Sequence, residues 1–367
     1  MEKKRITYIG WLEGENLGDE ALYLANKILF RDHELVPDFK RHGQQYSKIT
    51  VLGGGTLIPF VSYWVRPNRY NYAFGVGVEP EAFWPEFSPK EAIDRVEKFN
   101  FRLIGVRGKM SYEALERWGL SSEVIGDPAL LLEPTANIKR KDDLVLVNLA
   151  SIKRIWGQEP ERVHREMIEL CKNLKTDGFD VFLLPFCIED LPLNKRIADE
   201  SGVEIFNARK DIQATLDFIA SSQVVIGERL HSNIFSACAA TPFIMIAYRP
   251  KCFDFVDTVG LSKYVLRTDE MSSIRIISLF RDMQRNWDEI HTKLVENVGM
   301  YRKRLRDFSA RIIEDIESLP EDKWDPPSRL EELRWRLVAQ PDRFLHYKAY
   351  RIWRSWHKLM SMHLSAK

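Results

Sequence analysis

The strongest chemical signal in the chain is the run Ile226-Gly227-Glu228-Arg229-Leu230-His231-Ser232-Asn233. It follows an apolar strand-like segment and opens an apolar helical one, so Arg229 and His231 fall at the carboxyl edge of a parallel sheet, where such sheets bind ligands. A guanidinium is a planar fork for an oxyanion, an imidazole gives or takes a proton near neutral pH, and Ser232 adds a hydroxyl donor. Further on, Tyr248-Arg249-Pro250-Lys251 brings two more cations after another apolar strand. In the first half, Gly105-Val106-Arg107-Gly108-Lys109 makes the same strand-to-helix passage. An arginine at a helix N-terminus opposes the helix dipole. A bound phosphate or carboxylate, meeting both the guanidinium and the free N–H groups, would resolve that conflict.

Three glycine-rich loops accompany these charges. Gly10 to Glu20 follows the first strand, with Asn16 or Asp19 placed to cap the next helix. Gly53-Gly54-Gly55-Thr56 and Gly75-Val76-Gly77 follow the second and third strands and allow close approach of a ligand. Gly126-Asp127-Pro128 reads as a carboxylate organising loop amides. Lys and Arg total 54 against 53 Asp and Glu, a net charge of +1, so the chain lacks the cationic excess of a nucleic-acid coat. Arg107, Arg229, His231 and Lys251 thus form a localised cationic site in a nearly neutral protein, which fits a small, highly anionic ligand. No metal-ligand spacing, dinucleotide fingerprint or nucleophile elbow is present in the sequence, so neither a metal nor a redox cofactor is expected.

The elements that must position these residues alternate. Strands are predicted at Ile6–Ile9, Ile49–Leu52, Ala73–Val76, Phe101–Val106 and Glu123–Ile125, with helices at Asp19–Phe30, Pro89–Lys98 and Lys109–Trp118. A charged, turn-rich stretch at Asn137–Asp143 separates them from a second set. That set has strands at Leu144–Leu149, Val181–Leu184, Val203–Ile205, Val224–Ile226 and Phe243–Ile246, and helices near Glu159–Leu174, Ile212–Ala220 and Leu230–Ala239. The fold class is therefore α/β: two Rossmann-like domains in a GT-B-type arrangement, over residues 1–140 and 141–270, with a helical C-terminal extension over 271–367.

In that extension a long amphipathic stretch runs to Ser318. The segment from Asp342 to Lys358 then interleaves Phe344, Tyr347, Tyr350, Trp353 and Trp356 with five cations. It reads first as a helix laid back across the domains, and second as a basic aromatic helix on an anionic membrane. Cys171, Cys187, Cys238 and Cys252 have no C-x-x-C spacing and read as buried, reduced thiols. With no apolar signal core at the N-terminus, the expected location is the cytoplasm, with peripheral contact at the inner membrane face under the second reading.

The ordered motifs resemble the polysaccharide pyruvyltransferase family over roughly residues 5 to 260. They are G-E-N-L-G-D-E-A-L at Gly14–Leu22, G-G-G-T-L at Gly53–Leu57, G-V-G-V at Gly75–Val78, G-V-R-G-K-M-S at Gly105–Ser111, G-D-P-A-L at Gly126–Leu130 and E-R-L-H-S at Glu228–Ser232. The family often carries an acid directly after the arginine of the fourth motif; here that position is Gly108. The resemblance implies transfer of the enolpyruvyl unit of phosphoenolpyruvate, as co-substrate, to a sugar of a cell-surface polysaccharide, commonly as a ketal. It implies that Arg107, Arg229, Ser232 and Lys251 hold the donor, that His231 with Arg229 is catalytic, and that Asn16, Asp19, Gly54 and Gly55 face the acceptor. The acceptor is free or lipid-linked, and the oligomeric state, a homo-oligomer included, is open. The rival readings are a nucleotide-sugar glycosyltransferase and a non-catalytic scaffold of the same fold.

Overall fold

The computed structural model describes residues 3–12, 15–37, 47–56, 58, 70–78, 101–152, 154–208 and 210–320. The predicted helices Pro89–Lys98 and Asp342–Lys358 lie outside them. Two six-stranded sheets, all of whose pairings are parallel, organise the rest. The first contains β1 (Arg5–Ile9), β2 (Glu34–Pro37), β3 (Ile49–Leu52), β4 (Tyr70–Val76), β5 (Phe101–Val106) and β6 (Glu123–Val124), in the order β2-β1-β3-β4-β5-β6. The second contains β7 (Leu144–Asn148), β8 (Asp180–Leu183), β9 (Glu204–Ile205), β10 (Val224–Gly227), β11 (Phe243–Ala247) and β12 (Val265–Arg267), in the order β12-β11-β10-β7-β8-β9. Strand order reverses between β1 and β3 in one sheet and between β7 and β10 in the other, and ligands bind at such switch points.

Every residue of β3, β7, β10 and β11 is buried, because crossover helices cover both faces of a parallel sheet. Those helices are α1 (Leu17–Leu29), α2 (Lys109–Arg117), α3 (Pro160–Thr176), α4 (Leu191–Ser201), α5 (Ile212–Ala220), α6 (Leu230–Cys238) and α7 (Pro250–Thr258). β2, β12, α4 and α7 fall outside the predicted elements. Helix α1 starts where it does because the Asn16 side chain accepts from the Gly18 N–H at 3.1 Å, with Asp19 and Glu20 in the first turn.

The chain closes with α8 (Ser273–Arg285) and the 32-residue α9 (Trp287–Ser318). At 1.5 Å per residue α9 is about 48 Å long. It buries Ile290, Leu294, Val298, Tyr301, Leu305, Phe308, Ile312 and Ile316 along one stripe. The helix runs from the second domain onto the first. Arg302 donates to the Leu130 carbonyl at 2.7 Å, the Tyr72 hydroxyl donates to Asp315 at 2.6 Å, and Lys4 donates to the Ile316 carbonyl at 2.7 Å.

Candidate active site

On the second domain, the switch point is built by hydrogen bonds that leave little freedom. Asn148, the last residue of β7, donates to the Leu184 carbonyl at 2.7 Å and accepts from the Arg229 N–H at 2.8 Å and from the Ser232 hydroxyl at 3.1 Å. The backbone after β10 is thereby pinned to β7. The Arg229 side chain makes a two-point pair with the fully buried Asp190, at 2.7 Å from Nε and 2.6 Å from Nη2. Burial opposes the arginine's charge, but the Asp190 carboxylate outweighs it and holds the guanidinium more firmly protonated than usual. Glu228 accepts from the Ala150 N–H at 2.9 Å, and burial pushes its carboxyl up to about 8.

On the first domain, Arg107 is buried, with its side chain 3% exposed. Its Nη2 donates to the Thr56 hydroxyl at 3.1 Å, and its Nη1 lies 3.7 Å from Asp127 Oδ2. Asp127 caps the short 3-10 turn Pro128–Leu131, accepting from the Ala129 N–H at 3.0 Å through Oδ1. The expectation that an anionic ligand relieves the N-terminus of α2 needs correction. Asp254, from α7 of the second domain, accepts there from the Met110 N–H at 2.8 Å and from the Ser111 hydroxyl at 2.9 Å. A Cβ at Gly108 would run into that carboxylate.

The two halves meet at His231. Its Nε2 is 3.9 Å from Asp127 Oδ2, and a Cβ at Gly18 would overlap its ring. Burial, then Arg107, Lys251 and Arg229 in turn, lower the imidazole to about 3, so it is neutral at physiological pH. Nearby, the Leu17 N–H donates to the Phe186 carbonyl at 2.8 Å and Asn16 forms a β-bridge with Cys187, fastening α1 to the second domain. Lys251 stands on the first turn of α7, 5.1 Å from the Tyr248 ring centroid.

Arg107, Arg229, His231 and Lys251 are thus brought into one electrostatic group across the two domains. Ser232 lies beneath it: the residue is fully buried and its hydroxyl donates to the Arg229 carbonyl at 2.7 Å. Asn16 is engaged as a helix cap, while Asp19 is half-buried in the first turn of α1. Gly54 has φ of 104°, closed to most side chains, and the Gly55 carbonyl accepts from the Gly77 N–H at 2.7 Å. Sequence reasoning missed Asn148, Asp190 and Asp254; only Asn148 carried a signal, as a polar residue ending an apolar strand. A separate groove lined by Tyr112, Glu123, Phe308 and Arg311 contains none of the site residues.

The fold is similar to that of a putative UDP-N-acetylglucosamine 2-epimerase from Listeria monocytogenes, at 12% identity over 89% of this chain and 100% of that one, with a TM-score of 0.57. A UDP-GlcNAc 2-epimerase from Neisseria meningitidis, bound to UDP-GlcNAc, is similar at 10% identity over 87% and 100%, with a TM-score of 0.54. These define the class: two parallel-sheet α/β domains of GT-B type with a helical C-terminal part. A sequence profile of polysaccharide pyruvyl transferases matches residues 16–250, and the chain belongs to that family. No curated protein sequence matches it.

Proposed function

We propose that the protein transfers the enolpyruvyl unit of phosphoenolpyruvate to a pair of sugar hydroxyls, forming a ketal and releasing phosphate. The observation that carries this reading is the group of three cations, Arg107, Lys251 and Arg229, whose fields all act on the buried His231. Such a group is matched by a small ligand bearing a carboxylate and a phosphate. Protonation of the donor's methylene uses its π pair to make a C–H bond and leaves an oxocarbenium-like carbon. One sugar oxygen adds to that carbon and loses its proton. Phosphate departs with the C–O pair, and the second oxygen closes the ketal while its proton ends on phosphate. The cations stabilise the departing charge.

His231 is the acid in this scheme, although it is neutral in the ligand-free protein. The donor's negative charges counter the arginines and lysine, raise the imidazole and draw a proton onto it. Asn16, Asp19, Gly54 and Gly55 belong to the acceptor side in this reading, on the loops of the first domain. No helix among the described residues is long and apolar enough to cross a membrane.

Calorimetric titration with phosphoenolpyruvate, beside a panel of nucleotide sugars, tests the reading. The expected result is binding that weakens at least tenfold in Lys251→Ala and takes up about one proton, seen as a buffer-dependent enthalpy. Silence toward phosphoenolpyruvate with binding of a nucleotide sugar overturns it in favour of glycosyl transfer.

A further inference from the structure

Two buried polar atoms face each other across the domain boundary, one from each half of the site. Asp127 Oδ2 and His231 Nε2 are 3.9 Å apart, and among the described residues neither has a hydrogen-bond partner. The arrangement is built. The other Asp127 oxygen is fixed by the Ala129 N–H, which places Oδ2 between Arg107 Nη1 at 3.7 Å and the imidazole at 3.9 Å, and the His231 ring is pressed against Gly18. Arg107 Nη1, at 3.7 Å, attracts Oδ2 without a hydrogen bond of normal length, so this buried oxygen is left to answer to both the guanidinium and the imidazole.

From this geometry we propose that Asp127 is the proton partner of His231: the two share a single proton and act as one acid–base unit in the transfer. The inference rests on the proposed pyruvyl transfer. That reaction moves protons in both directions, one onto the donor's methylene and one off each attacking hydroxyl, with phosphate keeping the last. A two-site unit holding one proton takes up a second when the donor binds, delivers one from His231 to the methylene carbon, and regains one from the first hydroxyl. The second hydroxyl's proton passes to phosphate, and the unit gives up its extra proton to solvent as the products and their negative charge leave, which returns it to its starting state. Asp127 acts through His231, setting when the imidazole is charged, and is therefore a positioning residue.

The surroundings favour such sharing over an ion pair. Burial raises the Asp127 carboxyl and lowers the imidazole, so both neutral forms are held close together. Facing the pair are Arg107 at the end of β5, Lys251 on α7 and Arg229 at the start of α6. Tyr8 on β1 and Cys238 on α6 are pushed up, mainly by burial and with Asp127 contributing, and remain protonated. The pair is thus flanked by fixed cations and two neutral hydrogen donors, and it is left as the group that titrates.

The test compares Asp127→Asn with Asp127→Ala. Asparagine keeps an oxygen for the Ala129 N–H, whereas alanine removes it, so a purely structural role is preserved in one variant and lost in the other. In ligand-free protein labelled with 15N-histidine, with His231 assigned by its loss in His231→Gln, the wild-type ring is expected to report a second inflection above the ordinary carboxylate range, besides its own lower one. That second inflection is expected to vanish in both variants. Phosphate release from phosphoenolpyruvate, with a methyl pyranoside bearing free 4- and 6-hydroxyls, is expected to fall about 100-fold in kcat in both, with KM for the donor within about threefold. An unchanged His231 titration in Asp127→Asn, or kcat near wild type in that variant, overturns the shared proton. If Asp127→Asn does not fold, the wild-type ring decides alone: a flat 15N shift above the ordinary carboxylate range overturns the proposal. Failure of wild-type protein to bind phosphoenolpyruvate sinks the donor assignment instead, and the ring titration still reads on the pair.

Discussion

The two switch points do different work. On the first domain the rim beside β1 and β3 carries glycine loops, and Arg107, which follows β5 and is the one buried cation of that domain among the described residues, leans on Thr56 and Asp127. On the second, the rim between β7 and β10 is dense with side-chain hydrogen bonds. Asn148, Asp190, Glu228, Arg229 and Ser232 lock one another. One rim makes room and the other fixes charge. This is the division expected when a bulky neutral acceptor and a small polyanion meet at one carbon: variable shape on one side, pre-organised electrostatics on the other.

The sharpest way to break that contrast is to fill the roomy side where it touches the charged one. Gly18→Ala directs a methyl into the His231 ring, which must move or part the domains. The expected loss in pyruvyl transfer, read as phosphate release, is about 100-fold or more, since a shift near 1 Å in a reacting group has that effect. Gly299→Ala, on α9 with nothing within 4 Å of the added carbon, is the matched control and leaves transfer unchanged. If Gly18→Ala transfers as well as wild type, the first rim is not a close packing surface for the histidine.

A smaller effect probes the charged rim through pH. Glu228 is raised by burial to about 8 in the folded protein, so between its unfolded value near 4.5 and pH 8 the folded state holds a proton that the unfolded state has released. Its contribution to stability is complete below pH 4.5 and is lost as pH rises toward 8. His231 has the opposite sense: lowered to about 3, its contribution is complete above pH 6.5 and is lost as pH falls toward 3. Glu228→Gln keeps an acceptor for the Ala150 N–H and is expected to raise the melting temperature by several degrees at pH 8 but not at pH 4.5. An equal shift at both values would show that Glu228 is not held protonated. The smallest effect is expected for Asp254→Ala, which uncaps α2 at a cost of about 1–2 kcal/mol in denaturant unfolding.

What was legible in the sequence follows the same contrast. β3, β5 and α5 match their predicted ranges, and the amphipathic run ends at Ser318 as read, because apolar runs and periodicity are local signals. β2 is four residues, none fully buried, α7 begins at Pro250 and α4 has Pro192 as its second residue, both without a Ser or Thr cap, so each offered little pattern. Arg107 and His231 were legible as strand-end residues of unusual type. Asp190 was not, because its partner lies 39 residues away on another element. Asp127 was read as a loop organiser, and one oxygen does that; which way the other points is a property of the assembled domains.

The cap on α2 has a consequence for how such chains can diverge. Gly108 and Asp254 occupy one space from opposite domains, so whatever side chain appears at 108 must displace the carboxylate that reaches in from 254. The two positions are therefore coupled by volume: an acid at 108 and the present placement of Asp254 exclude each other. Exchanging the acid between the two positions shifts an anchor of the domain interface from a cross-domain tie to a local one, and with it the freedom of the two halves to separate.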